Sequence, residues 1–182
     1  MFNLFKKKES NAAKIIDHIW ITEPAKLNAM TEQWKKDSNS VWICWFDDTL
    51  RRIEEKFATL STEVAPLLTA REVTAGHLNG KTVFFAEHHP VQEREKQLFE
   101  KLHLKEAIVW SAMDEPLFKH FGADKIVQMM RQLGMKEDEM IQHNLISKSI
   151  RNAQEKIADK VQVELSAHSQ ADWLQKNLQA AG

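Results

Sequence analysis

From Asp17 to Ser111, short runs of β-branched and aromatic residues alternate with stretches of helical periodicity. That alternation confines the chain to an α/β fold, a mostly parallel sheet with helices on its faces. The first run, His18-Ile19-Trp20-Ile21-Thr22, precedes a helix predicted from about Ala25 to Trp34, with Leu27, Met30 and Trp34 spaced by three and four. Val41 to Phe46 reads as a second strand, and Asp47 and Asp48 are suitable N-caps for a helix over Leu50 to Leu60. A third strand near Pro66 to Ala70, a fourth over Thr82 to Ala86 and a fifth over Ala107 to Ser111 complete a sheet of about five strands. Pro90 suits the first turn of a helix continued by Glu93, Glu95, Leu98, Phe99 and Leu102. After Asp114 and Pro116 the pattern is helical almost to the end. The expected organisation is a flexible tail over 1–14, an α/β domain over 15–135 and a C-terminal helical extension over 136–182.

Charge excludes some functions. With 25 Lys and Arg against 26 Asp and Glu, the net charge of -1 provides no global field for nucleic acid or an anionic membrane. No run approaches the roughly 18 apolar residues of a membrane span. Phe2, Leu4, Phe5 and Lys6 allow at most peripheral membrane contact, and the charges of Lys6 to Lys8 follow the apolar stretch, the reverse of a signal peptide. The single cysteine, Cys44, sits in an apolar strand, where burial raises a thiol's pKa and makes it inert; a cytoplasmic location fits best.

No G-x-x-x-x-G-K-[ST] loop and no G-x-G-x-x-G occurs, so autonomous nucleotide hydrolysis is not expected, and no cofactor is assigned. The dense polar cluster Glu87-His88-His89 directly follows the fourth strand, at the carboxyl edge where open α/β sheets bind ligands. Strand geometry sends Glu87 and His89 to one side and His88 to the other, so at most two could ligate one metal locally. His77, His120 and His143 share no metal-binding spacing with them, and no metal site is assigned. The cluster is expected to be a hydrogen-bonded structural loop; the rival reading is a small-molecule or metal-dependent enzyme built on the same three residues. Ser111, Ser147 and Ser149 lack a nucleophile elbow. Trp42 and Trp45 are three apart in one strand and face opposite sides, so they form no stacking row for nucleic acid.

In the helical part, Ile126, Met129, Met130 and Leu133 form an i, i+3, i+4, i+7 stripe expected to pack on the sheet, with Gly134 ending the helix. Asn144 is a candidate cap for a second helix carrying Leu145, Ile146, Ile150, Ala153 and Ile157. Leu145, Ile146, Ile150 and Ile157 are the candidate partner-binding residues. The competing expectation is that Val161, Leu165, Trp173 and Leu178 fold back onto the domain.

The segment Phe118 to Met135 resembles the end of the second nucleotide-binding domain of the SecA preprotein translocase family, and Glu139 to Ile157 resembles the stretch entering that family's long helical scaffold. Upstream, Ala112 to Leu117 is similar to the family's S-L-E-D-x-L, and Val83 to Gln97 to its V-I-G-T-E-R-H-E-S-R-R-x-D-x-Q. The resemblance implies a RecA-like three-layer domain. It also implies a setting in protein export, with the translocation machinery or a second copy as protein partner. Where the family has Q-L-R-G-R-S-G-R, this chain has Gln97-Leu98-Phe99-Glu100-Lys101-Leu102-His103-Leu104, without an arginine to stabilise transferring phosphoryl charge. The family's G-R-G-T-D loop has no counterpart near Arg71 to Gly76, and the P-loop domain is missing from this sequence. The expectation is a degenerate, stand-alone second motor domain acting as a non-catalytic interaction or regulatory module.

Overall fold

The computed structural model describes residues 12–59 and 66–178. The tail residues Phe2, Leu4, Phe5 and Lys6 lie outside the described residues. Five strands, β1 (Lys14–Trp20), β2 (Ser40–Cys44), β3 (Leu67–Thr69), β4 (Thr82–Phe85) and β5 (Glu106–Ala112), form one sheet of order β1-β5-β4-β2-β3. Every strand pair is parallel. Helices α1 (Glu23–Lys36), α2 (Asp47–Ala58) and α3 (Gln92–Lys101) follow β1, β2 and β4, and α4 (Pro116–His120), α5 (Ala123–Gln132), α6 (Asn144–Ala158) and α7 (Gln170–Leu178) follow β5. The architecture is α/β and consistent with a RecA-like three-layer fold.

Strand parity sorts the core into layers. Trp20, Trp42, Phe84 and Trp110 point to one face, where Met30 and Trp34 of α1 and Ile53 and Phe57 of α2 cover them. Ile43, Phe85, Ala107 and Val109 point to the other, against Leu98, Phe99 and Leu102 at α3. Trp42 stacks on Phe84 at 4.5 Å between ring centres and meets Trp110 edge-on at 5.0 Å, a packing role for the tryptophans. Trp45 lies on the opposite face, near Phe85. Cys44 is fully buried, and burial pushes its thiol well above the ordinary range.

Helix ends explain several boundaries. Thr22 caps α1 by accepting from Ala25 N, with Pro24 in the first turn. Asp47 and Asp48 lie inside the first turn of α2 rather than at its cap, which is Phe46. His143, not Asn144, caps α6: its Nδ1 accepts from Leu145 N at 3.2 Å. Gly134 follows α5 with φ +84°, the left-handed conformation that a side chain disfavours.

The stripe expected on α5 is corrected. The helix buries Ala123 and Val127 with Met130 half-buried, while Ile126, Met129 and Leu133 are 41%, 54% and 81% exposed. The packed face is rotated relative to the predicted one: Ala123 and Val127 join the buried cluster that contains Ile19, Ile21 and Met113. The C-terminal helices share this core: Ile150, Ile157, Trp173 and Leu174 are buried with Ile19 and Leu117, and Val161 and Leu178 pack at its margin. Leu165 stays 48% exposed. An antiparallel bridge, Ile141 N to Ile19 O at 2.7 Å and Ile19 N to Ile141 O at 3.1 Å, ties the α5–α6 connection to the β1 edge.

Candidate functional site

The sheet's carboxyl edge, where β1, β5, β4 and β2 end together, is the place an open α/β sheet offers to a ligand. Here the edge is filled by the protein's own side chains. Glu87, His88 and His89 are 3%, 1% and 6% exposed and go in three directions, so they do not converge on a common point. His77 sits in a short helical turn over Ala75–Leu78, His120 on α4 and His143 at the α6 cap, none of them with the cluster. Among the described residues no group of three or more His, Cys, Asp and Glu is arranged to hold a metal ion.

Glu87 turns toward the start of α2. Its Oε1 accepts from Trp45 N and Phe46 N at 3.2 and 3.1 Å, and its Oε2 from Thr49 Oγ1 at 2.8 Å. A helix N-terminus has unpaired N–H groups, and Phe46 supplies no side-chain cap, so the Glu87 carboxyl serves as the hydrogen-bond acceptor there. Burial, with the Glu115 charge adding to it, pushes the Glu87 carboxyl up to about 7 against the opposing Lys26 charge and these hydrogen bonds. Beside it, Lys26 is buried within α1 and donates to Glu115 Oε1 at 2.5 Å and Ala86 O at 2.9 Å. Burial alone would depress the ammonium, but the Glu115 charge and hydrogen bond raise it. Glu115 Oε1 also accepts from Ala112 N at 2.9 Å, joining α1, the end of β4 and the β5–α4 turn.

His88 points the other way, between two carboxylates. Its Nδ1 lies 2.8 Å from Glu95 Oε1 and its Nε2 3.1 Å from Asp17 Oδ1. Two acceptors require two N–H donors, which makes the ring an imidazolium. Burial pulls the other way, yet the Glu95 charge and the Asp17 hydrogen bond hold its pKa up to about 10. Asp17 is held below the usual carboxylate range: burial opposes this, but His88, Ser147 and Arg151 outweigh it.

His89 packs its ring against Trp45, Phe46 and Trp173 at 5.0, 5.9 and 5.6 Å between centres. Its Nε2 lies 3.3 Å from Glu164 Oε1, which also accepts from Trp173 Nε1 at 2.9 Å, while Glu164 Oε2 accepts from Arg94 Nε at 2.6 Å. The two C-terminal helices grip the same loop through carboxamides. Gln154 Nε2 donates to His89 O at 2.8 Å, and Gln170 Nε2 to His88 O at 3.0 Å while its Oε1 accepts from Leu117 N at 2.7 Å. Glu95, Lys26, Gln154 and Gln170 are the site residues that sequence spacing missed. The available signal was a polar residue standing in the apolar stripe of a helix, as Lys26 does four residues before Met30 and eight before Trp34.

Glu164 is a latch between the α6–α7 connection and α3. The His89 hydrogen bond, then those from Trp173 and Arg94, outweigh burial and bring its carboxyl down to about 2. A lowered carboxyl pKa contributes stability above its unfolded value near 4.5 that is lost as pH falls toward 2. Glu164→Gln is therefore expected to lower unfolding free energy by roughly 1–2 kcal/mol at neutral pH, with the difference from wild type shrinking below pH 4.5 and vanishing as pH falls through about 2. Urea unfolding across that range checks it; a pH-independent difference would contradict the assignment.

The other candidate surface is apolar. Of the sequence-derived partner residues, Leu145 is 68% exposed and Ile146 half-buried, whereas Ile150 and Ile157, at 4% and 1%, belong to the protein's own core. Phe121, Ile126, Met129 and Leu133 take their place, missed because both faces of α5 satisfy helical spacing. Phe121 and Ile126 border a groove of about 230 Å³ between α4, α5 and α6, lined by Met113, Phe118, Ile146, Ser149, Ile150 and Ala153 among others.

No family profile matches the chain. A 46-residue stretch, 25% of this chain, is 48% identical to the protein translocase subunit SecA of Psychrobacter cryohalolentis and equally to that of Psychrobacter arcticus. The SecA of Acinetobacter baylyi is 46% identical over 46 residues. In each case the match spans 5% of the relative's length, so the chain corresponds to a small part of these curated relatives. The chain thus contains a SecA-related segment. Among the described residues, no helix is long and apolar enough to cross a membrane.

Proposed function

We propose that this protein is a non-catalytic interaction module linked to protein translocation, a degenerate relative of the second SecA motor domain working in the cytoplasm through a protein partner. One observation carries the reading: the apolar residues of α5 and the start of α6 are exposed, while the polar cluster at the sheet's carboxyl edge is spent on internal pairing. Exposed apolar residues grouped on one face mark interaction surfaces, and methionine suits a contact that must adapt. Support for the setting comes from the local identity to SecA. Support for the lack of catalysis comes from the run Gln97 to Leu104, which has no arginine and whose Leu98, Phe99 and Leu102 are core residues.

Isothermal titration with ATP and ADP, each with magnesium, tests the catalytic half. No micromolar binding and no turnover are expected; turnover would defeat the reading. Co-purification with purified translocation components tests the other half, with wild type expected to retain one of them and a variant carrying charges at Met129 and Leu133 expected to lose it.

A further inference from the structure

We propose that Glu87, Lys26 and Glu115 form a proton-operated joint at the sheet's carboxyl edge: a proton taken up by Glu87 loosens the first turn of α2 and, with it, the anchorage of the α6–α7 connection. The charge count of the cluster motivates the inference. Glu87 and Glu115 are 3% and 6% exposed, and Lys26 beside them is 1% exposed. Lys26 Nζ donates to Glu115 Oε1 at 2.5 Å and to the carbonyl of Ala86, the residue before Glu87, so two carboxylates share one cation in a buried site. Among the described residues the surrounding charges supply no second cation. Arg52 of α2 is spent on Glu23 and Asp48, and the Asp114 carboxylate accepts from Glu23 N. Cys44 of β2 is a thiol that burial keeps neutral, and His88 and His89 turn away to Asp17, Glu95 and Glu164. A net negative charge in a buried site is relieved by binding a proton. Glu115 is the carboxylate bonded to Lys26, so the proton falls to Glu87.

The bonds of Glu87 determine what the proton moves. Trp45 N, Phe46 N and Thr49 Oγ1 all donate to it, and they form the entry to α2, where Phe46 brings no side-chain cap. A carboxylate accepts at both oxygens through charge-assisted bonds; the acid turns one oxygen into a donor and accepts more weakly at the other. The same turn holds the C-terminal part of the chain: Asp48 N donates to His168 O at 3.0 Å, and Asp47 Oδ2 lies 3.3 Å from His168 Nδ1. Burial, then the Glu115 charge, sets the Glu87 carboxyl at about 7, which puts the change near neutrality. Two opposite signs mark the device. Stability from a carboxyl raised from 4.5 to about 7 is fully present below pH 4.5 and lost as pH rises through about 7. Through this group, acidification strengthens the fold as a whole while it weakens the entry to α2.

The test is native-state hydrogen exchange of the full chain, followed by NMR at about pH 5 and about pH 8 and read as protection factors. Protection of the Trp45 and Phe46 amides is expected to fall about ten-fold from the higher pH to the lower, while that of Val109 and Trp110 in β5 does not fall. The Glu87 side-chain carboxyl carbon is expected to report protonation over the same range. Glu87→Gln, a permanently neutral mimic, should show the low protection at both pH values. Relative to wild type, its folding constant is expected to be about fifty-fold larger at the higher pH than at the lower. His168 is left in place by this variant, so a response that survives in it belongs to the His168–Asp47 contact and overturns the proposal. Should Glu87→Gln fail to fold, Glu115→Gln decides: with the second carboxylate gone, Glu87 stays ionised beside Lys26 and the two amides keep their protection at the lower pH. A Glu87 carboxyl ionised throughout, a proton held by Glu115 alone, or Trp45 and Phe46 amides indifferent to pH would each sink the inference. Nucleotide turnover would defeat the interaction-module reading and leave this joint standing.

Discussion

Replacing His88 by leucine is expected to remove about 3–5 kcal/mol of folding stability, the cost of leaving buried charges without their counter-ion. Asp17 and Glu95 are 4% and 0% exposed, and each loses the N–H that faces it. Because a domain's net stability is about 5–15 kcal/mol, the variant should unfold far earlier in urea. The pH dependence identifies the cause. The imidazolium's pKa is raised from 6.5 to about 10, so its stabilisation is fully present below pH 6.5 and lost as pH rises through 10. In His88→Leu the two carboxylates can be buried comfortably only when protonated, so the gap between variant and wild type should narrow as pH is lowered and also above pH 10. A gap that ignores pH would mean that packing, not charge, holds the loop.

Lys26→Met is expected to cost a comparable amount, about 3–5 kcal/mol, because Glu115 then keeps a buried charge with only the Ala112 N–H facing it. Glu87 lies close enough to feel the same loss, since the Lys26 charge is what opposes burial of its carboxyl. The companion variant Lys26→Met/Glu115→Leu removes both charges, and buried pairs replaced by apolar residues are often neutral. The double variant should therefore recover most of the single variant's loss in a thermodynamic cycle. If the losses add instead, the pair is not the source of the effect.

The positions of the core strands along the chain were legible in the residues. Val41-Trp42-Ile43-Cys44 and Thr82-Val83-Phe84-Phe85 are apolar on both faces, the mark of a parallel strand covered twice, and both form strands within two residues of the expected limits. Glu87, His88 and His89 were picked out for their place after β4, and they do occupy the carboxyl edge. Their partners were not legible. Asp17 is 71 residues from His88, and Glu115 is 89 from Lys26, so the pairs exist only once the sheet has brought β1, β4 and β5 together. The face of α5 failed for a different reason. Ala123, Val127 and Met130 and the bulkier Ile126, Met129 and Leu133 both fit helical spacing, and hydrophobicity favours the second set, but the first is the one that joins the core around Ile19 and Met113.

The parallel register of β1 against β5 has a consequence for biosynthesis. Lys14 pairs with Glu106, 92 residues later, and β5 is the sole neighbour of β1 in the sheet order. While the ribosome is still extending the nascent chain, Ile15, Ile16 and Ile19 have emerged with no strand to receive them. At translation rates the wait is roughly 5–20 s, long enough for a holdase chaperone to bind. The strand made first is thus installed last, and closure of the β1 edge by Ile141 comes later still.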